Sequence, residues 1–208
     1  MKIIVFGSTG GIGRQVITQA LDAGHQVTAV ARRPDMVTIQ HERLQVVRGD
    51  ALEAASFQQA LTAQEVVVSA LGIITKQPTV FYSSTMENIM AAMRPAGVRR
   101  LLCVSAAAVD PGGWQRWILK PILWRGLGLS HMYIDLLRME NALKASALDW
   151  TIVRPPRLLD GPRTGHYHTM INASLTRGTS INRADVADFI VSHLTDPAVY
   201  RAIVEIAN

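Results

Sequence analysis

The sequence predicts an α/β domain whose parallel sheet is doubly wound, with helices on both faces. Three observations predict it. Apolar, β-branched runs alternate with helix-length segments along the whole chain. Those runs are apolar at nearly every position, as strands covered on both faces must be. A glycine-rich turn joins the first run directly to the first helical segment. In chain order, Lys2 to Phe6 reads as a strand and Gly11 to Ala23 as the helix that follows it. Gln26 to Ala31 and Leu44 to Val47 return to strand, and Ala54 to Leu61 is a short helical segment. Glu65 to Ala70 is a strand, Thr85 to Ala96 a helix, and Arg100 to Ser105 a strand. His131 to Ala147 is a helix, Trp150 to Val153 a strand, Ala184 to Leu194 a helix and Ile203 to Ile206 the last strand. Two stretches fit the alternation poorly, Ala107 to Ser130 and Arg157 to Ile181. Both follow the C-terminal ends of predicted strands, where open α/β sheets bind ligands, so they are the expected substrate segments.

Composition bounds the function. At roughly 150 residues per domain, 208 residues favour one large domain, residues 1–208, over two independent cores. With 49% apolar and 18% charged residues the chain can bury a sizeable core. Its one cysteine, Cys103, excludes an intramolecular disulfide and a cysteine-clustered metal centre, and points to a reducing compartment. No secretory leader pattern precedes Lys2, and no apolar run approaches the roughly 18 to 20 residues that span a bilayer, so a cytoplasmic protein without a transmembrane segment is expected. The net charge of +5 comes mostly from arginine, 17 of the 21 basic residues. Arginine binds phosphate and carboxylate bidentately, which makes an anionic ligand the first suspect. The basic positions are scattered with no run longer than two, unlike a nucleic-acid-binding arm.

The turn is Gly7-Ser8-Thr9-Gly10-Gly11-Ile12-Gly13. Its glycines at 7, 10 and 13 permit a tight bend, close approach of backbone N–H groups to a pyrophosphate, and close helix packing. It lacks the Gly-Lys-Ser/Thr ending of a nucleoside-triphosphate loop. A dinucleotide fold that reads an unmodified ribose would place an acidic residue about twenty residues later. Here the second strand ends in Arg32-Arg33, two guanidinium groups suited to a 2′-phosphate, so the expected cofactor is NADP(H). Asp50, followed by Ala51, lies after the third strand, where a carboxylate can accept from an adenine amino group. Ala70-Leu71-Gly72, after the fourth, would line ribose and pyrophosphate with little bulk.

A further spaced pattern runs through Arg138-Met139, Leu143, Ser146, Leu148, Val153, Pro155-Pro156, Asp160, Pro162 and Thr164-Gly165. With the Gly7-x-Thr9-Gly10-x-x-Gly13 turn it resembles the atypical short-chain dehydrogenase/reductases of the NmrA-like group, and within it the flavin reductase/biliverdin-IX-beta reductase family. The resemblance covers the chain apart from Ala107 to Ser130. It implies a Rossmann domain and an NADPH-dependent reductase of flavins, tetrapyrroles or quinone-like acceptors, with the nicotinamide near Ser105 and Pro155-Pro156. Two departures stand out. The Tyr-x-x-x-Lys proton relay is missing, since Met86, Leu137, Ile171 and Val204 follow the four tyrosines at that spacing. Arg157 stands where biliverdin-reducing members carry a histidine after the proline pair.

The expected chemistry is therefore hydride transfer to a small planar acceptor whose reduced anion is already delocalised. Arg157 is the candidate to steady that anion, with a salt bridge or a cofactor phosphate as its other roles. Ser105 is expected to donate to the carboxamide or a substrate oxygen, or to make an ordinary strand-end hydrogen bond. Cys103 reads as a small buried hydrophobe. His166, His168 and Asp160 invite a metal reading but lack a fourth ligand, and no metal is expected. Trp114, Trp117 and Trp124, interleaved with Arg116, Lys120 and Arg125, fit a lid or a subunit packing surface better than a lipid contact. Glu140 and Lys144 read as an exposed helix pair. The competing class is a non-enzymatic NADP(H)-binding redox sensor, which the same fold permits. The oligomeric state is left open.

Overall fold

The computed structural model describes residues 1–109 and 130–208. The regular elements, in chain order, are β1 (Lys2–Phe6), α1 (Gly11–Asp22), β2 (Gln26–Ala31), β3 (Leu44–Arg48), β4 (Val66–Ser69), α2 (Phe81–Ala96) and β5 (Arg100–Val104). They continue with α3 (Ser130–Lys144), β6 (Asp149–Arg154), β7 (Arg157–Leu159), β8 (His168–Ile171), β9 (Ser180–Asn182), α4 (Arg183–Ser192) and β10 (Ala202–Ala207). Eight strands form one sheet in the order β3-β2-β1-β4-β5-β6-β10-β8. β1 to β6 and β10 run parallel. Strand order reverses at β1, whose neighbours are β2 and β4, and a crevice opens there above the strand C-termini.

Alternation along the strands builds two cores, one per face. From β1, Ile4 and Phe6 pack with Met86 and Ile89 of α2 and with Leu136 and Met139 of α3. Ile3 and Val5 pack on the other face with Val16 and Ile17 of α1 and with Val186 and Ile190 of α4. All are buried, and each large side chain contributes about 1.5–3 kcal/mol by leaving water.

Three expectations are corrected. Ala54 to Leu61 forms two 3-10 turns, Ala54–Ser56 and Gln58–Leu61, instead of an α-helix. The Ser56 hydroxyl there bonds the backbone of Asp50 and Glu53, a local alternative to helical hydrogen bonds. α2 begins at Phe81, four residues before the predicted Thr85. Its early N–H groups at Tyr82 and Ser83 are capped by the buried Asp135 carboxylate of α3, 2.7 and 3.3 Å away, a partner 53 residues distant in sequence for Tyr82. The segment from Arg157 to Ile181 carries short strands as well as loop. β7 pairs with β9 in a separate two-stranded ribbon, and β8 joins the main sheet antiparallel to β10, so the sheet is mostly and not wholly parallel. No helix among the described residues is long and apolar enough to cross a membrane.

Candidate active site

The glycine turn is wedged between both neighbours of β1. Gly7 has φ +79, and a Cβ there would lie 2.4 Å from the Ala70 carbonyl oxygen after β4. On the other side the buried Ser8 hydroxyl donates to the Val30 carbonyl of β2 at 2.7 Å. Gly13 sits under the bend, where a Cβ would meet the Gly7 carbonyl oxygen at 2.1 Å. Gly10 caps α1 in an extended conformation with no side chain bonded to the helix end. The first N–H groups of α1 and the positive end of its dipole are thereby turned toward the crevice, a cradle that suits a pyrophosphate.

The crevice is a cleft of about 460 Å³. Most of the residues singled out from sequence meet in its wall: Gly7, Ser8, Thr9, Gly10, Gly11 and Ile12 from the turn, Arg32, Asp50 and Ala51 at one end, Ala70, Leu71 and Gly72 along one side, and Ser105 at the other end. The Asp50 carboxylate accepts from the Leu52 N–H at 3.0 Å, which fixes its direction.

Five sequence candidates lie outside that wall. Gly13 acts beneath the turn, through packing. Arg33 is exposed and caps the 3-10 turn Pro34–Met36. Pro155 is buried, and its carbonyl accepts from the Ala107 N–H at 2.9 Å, which ties the chain just after β5 to the end of β6; Pro156 beside it is half-buried. Arg157 is exposed on β7, where alternation turns it away from the face on which Leu158 meets the cleft. Arg157 is therefore not among the described residues that line the cleft. Of the whole segment 157–181, Leu158 is the one described residue that lines the cleft.

Sequence reasoning missed two further cations near the turn, of which Arg183 lines the cleft. Arg183, the first residue of α4, lines the cleft beside the turn, and a Cβ on Gly11 would lie 2.5 Å from its Cδ. It is anchored by Asp160, 2.7 Å from Nη1. Arg14, in the first turn of α1, reaches the Met36 carbonyl at 3.4 Å and so lies over the segment that follows Arg32-Arg33. Neither belongs to a local pattern; Arg183 is brought in by the packing of α4 on α1.

At the Ser105 end the walls are apolar. Met132 and Leu136, one helical turn apart on α3, line the cleft together with Ala106 and Leu158. Tyr82 is the one tyrosine in the wall, and both functions of its hydroxyl are taken. It donates to the Ile73 carbonyl at 2.6 Å and accepts from the Ile73 N–H at 3.0 Å, while burial pushes its pKa up. Burial likewise raises Tyr133 and Tyr167, the latter donating to Asp188 at 2.8 Å. Tyr200 lies under the Arg100 guanidinium. Cys103 is fully buried, which pushes its thiol up and makes it inert.

The reading of Glu140 and Lys144 as an exposed pair is overturned. Glu140 is 0% exposed. Arg154 of β6 grips its carboxylate through Nε at 2.9 Å and Nη2 at 2.5 Å, and the Ser105 hydroxyl donates to Oε1 at 2.7 Å. His166 and His168 are exposed, Asp160 is engaged by Arg183, and among the described residues no cluster of three metal-ligating groups exists. Trp114, Trp117 and Trp124 with their basic neighbours, and most of the 107–130 segment, lie outside the described residues.

Comparison with known proteins bears on this arrangement. A family described as NAD(P)H-binding matches residues 7–197. The (4-alkanoyl-5-oxo-2,5-dihydrofuran-3-yl)methyl phosphate reductase of Streptomyces griseus subsp. griseus is 30% identical over 201 residues, 97% of this chain; the chain spans 61% of that relative's length. Among solved structures, ChuY, an anaerobillin reductase from Escherichia coli O157:H7, is 26% identical with a TM-score of 0.78, the match covering 100% of this chain and 97% of ChuY. A short-chain dehydrogenase/reductase from Veillonella parvula in complex with NADP shares the fold, at 22% identity and a TM-score of 0.80, over 100% of this chain and 94% of its own.

Proposed function

The chain belongs to the NAD(P)H-binding family, and we propose that within it the protein is an NADPH-dependent reductase that passes hydride to a planar, conjugated acceptor such as a flavin, a tetrapyrrole or a quinone. One observation carries this reading. Beyond the phosphate-binding turn the cleft wall carries the apolar side chains Met132, Leu136, Leu158 and Ala106, and the hydroxyl hydrogens of Tyr82 and Ser105 in that wall are both engaged within the protein. Such a wall suits an acceptor that spreads the added charge over its own rings and needs no acid from the protein. Reductase names among the relatives support the same class of chemistry.

When bound, NADPH supplies the hydride. The residues of the chain hold and orient. The N–H groups of Gly11 to Gly13 and the Arg183 guanidinium would receive the pyrophosphate, and Arg32 and Arg14 the 2′-phosphate. Asp50 would accept from the adenine amino group. Met132, Leu136 and Leu158 would keep water from the acceptor and hold its ring beside the nicotinamide, which raises the effective concentration of the reacting groups.

The test is NADPH consumption, followed by nicotinamide absorbance, with FMN, riboflavin, a quinone and a linear tetrapyrrole. Oxidation with at least one is expected. Saturable NADPH binding with no oxidation by any of them would instead make the protein a non-enzymatic redox sensor. The mechanism also makes a prediction for single residues. Replacing Tyr82, Tyr133, Tyr167 or Tyr200 by Phe should leave kcat within about threefold, because none is the acid, although Tyr82→Phe should raise KM by freeing the Ile73 loop. Arg157→Ala should change kcat/KM by no more than about twofold. A tyrosine whose loss abolishes turnover would restore a proton relay.

A further inference from the structure

Ser105 is one of four hydroxyl-bearing residues among the described lining of the cleft, with Ser8, Thr9 and Tyr82. Its hydrogen is already committed. Glu140 is wholly buried, and Arg154, itself 5% exposed, takes its carboxylate in a two-pronged grip, with Lys144 Nζ 3.6 Å from Oε2. A carboxylate paired in this way accepts hydrogen bonds and cannot donate. The hydrogen in the 2.7 Å contact between Ser105 Oγ and Glu140 Oε1 therefore belongs to Ser105. A serine hydroxyl has a single hydrogen, so what Ser105 has left for the cleft is lone pairs.

We infer that Ser105 acts toward the cleft as a hydrogen-bond acceptor, held in that state by Glu140 and Arg154, and that the hydride acceptor this site selects presents an N–H edge: an imide, lactam or pyrrole N–H. The inference rests on the proposed reductase activity and narrows its substrate class. An N–H edge set against Ser105 gains a hydrogen bond in a cleft whose wall also carries the apolar side chains Met132, Leu136, Leu158 and Ala106. A molecule with only carbonyl oxygens on that edge meets lone pairs with lone pairs and leaves a desolvated oxygen unpaired. Glu140 and Arg154 touch neither substrate nor cofactor in this scheme. They are positioning residues, and the sequence-level expectation that Ser105 donates to a substrate oxygen is reversed.

The experiment compares lumiflavin with its N3-methyl derivative, which keeps the ring system and loses the N–H. Both are assayed for kcat/KM by NADPH oxidation. The parent protein should favour lumiflavin by about three- to tenfold, the value of one neutral hydrogen bond. Ser105→Ala should bring the ratio close to one. Glu140→Gln is the polarity arm: Oε1 accepts from both Ser105 and the Arg154 Nε–H, so an amide in place of the carboxylate must set an N–H against one of the Arg154 donors, and the hold that fixes the Ser105 hydrogen away from the cleft is broken. In that variant the preference for lumiflavin should disappear although Ser105 keeps its bulk, and menadione, a carbonyl-only acceptor, should gain relative to lumiflavin. A merely structural role for Glu140 would slow both flavins alike and leave the ratio unchanged. Should Glu140→Gln fail to fold, Ser105→Ala alone decides. Equal kcat/KM for the two flavins in the parent, or an undiminished ratio in Ser105→Ala, overturns this inference while leaving the reductase reading intact. No NADPH oxidation with either flavin or with any other planar acceptor overturns both.

Discussion

A Gly13→Val protein is expected to lose its dinucleotide and much of its stability together, whereas Gly10→Val should lose the dinucleotide and keep the fold. The two glycines differ in what lies behind them. At Gly13 a Cβ would sit 2.1 Å from the Gly7 carbonyl oxygen and 2.8 Å from its carbon, backbone atoms that no rotamer change can move. The turn would have to open, and Gly7 is itself held in place by Ala70 at a positive φ. Overpacking of this kind costs about 3 kcal/mol or more, which for a chain of this size lowers Tm by roughly 6–12 °C. Gly10 has φ −79 and ψ 163, which valine adopts readily, and a Cβ there meets only the Gly7 carbonyl oxygen, at 3.3 Å. Its added methyl groups would fill the space over the α1 N–H groups that a pyrophosphate needs, for a loss of about a hundredfold in NADPH affinity or more, roughly 2.7 kcal/mol. Thermal melting and dinucleotide titration of both variants check the separation. A Gly10→Val protein that binds NADPH normally would mean that the phosphates go elsewhere.

NADPH should bind far more tightly than NADH, and the preference should reside in Arg32 and Arg14. Arg32 forms part of the cleft wall, and Arg14 extends from α1 over the chain that follows Arg33. Each charge-assisted contact to a 2′-phosphate is worth about 1.5–3 kcal/mol, so removing both should weaken NADPH by roughly a hundredfold or more and barely touch NADH. Affinities of the parent and of Arg14→Ala, Arg32→Ala and the double variant for the two cofactors decide the matter. Equal affinities in the parent would remove the basis for assigning the 2′-phosphate to these arginines.

The dinucleotide half of the site could be read from sequence because its signals are local. A strand, a turn with glycines at 7, 10 and 13, and a helix are contiguous, and the wall residues Asp50 and Gly72 follow strand ends whose position the apolar runs reveal. The acceptor half could not, because long-range packing builds it. Arg157 and Leu158 are adjacent in sequence, and only the course of β7 decides that Leu158 meets the cleft while Arg157 faces away. Arg183 reaches the turn because α4 packs on α1, far from it in sequence. Glu140 has the helical spacing to Lys144 of a surface pair, yet α3 presses it against Arg154 and Ser105, and no pattern along one helix distinguishes those two fates. The early start of α2 has the same origin, a cap supplied by Asp135 from another helix.

The claim that this cleft passes hydride to a planar ring is tested most directly by anaerobic single-turnover mixing of the protein with FMN and NADPH, unlabelled or deuterated at the transferring C4 position. The account predicts that flavin absorbance bleaches as NADPH disappears, one for one, and that deuterium slows the bleaching. NADPH that binds to the protein and persists, with no bleaching of FMN and no reduction of a quinone or tetrapyrrole put in its place, would contradict it.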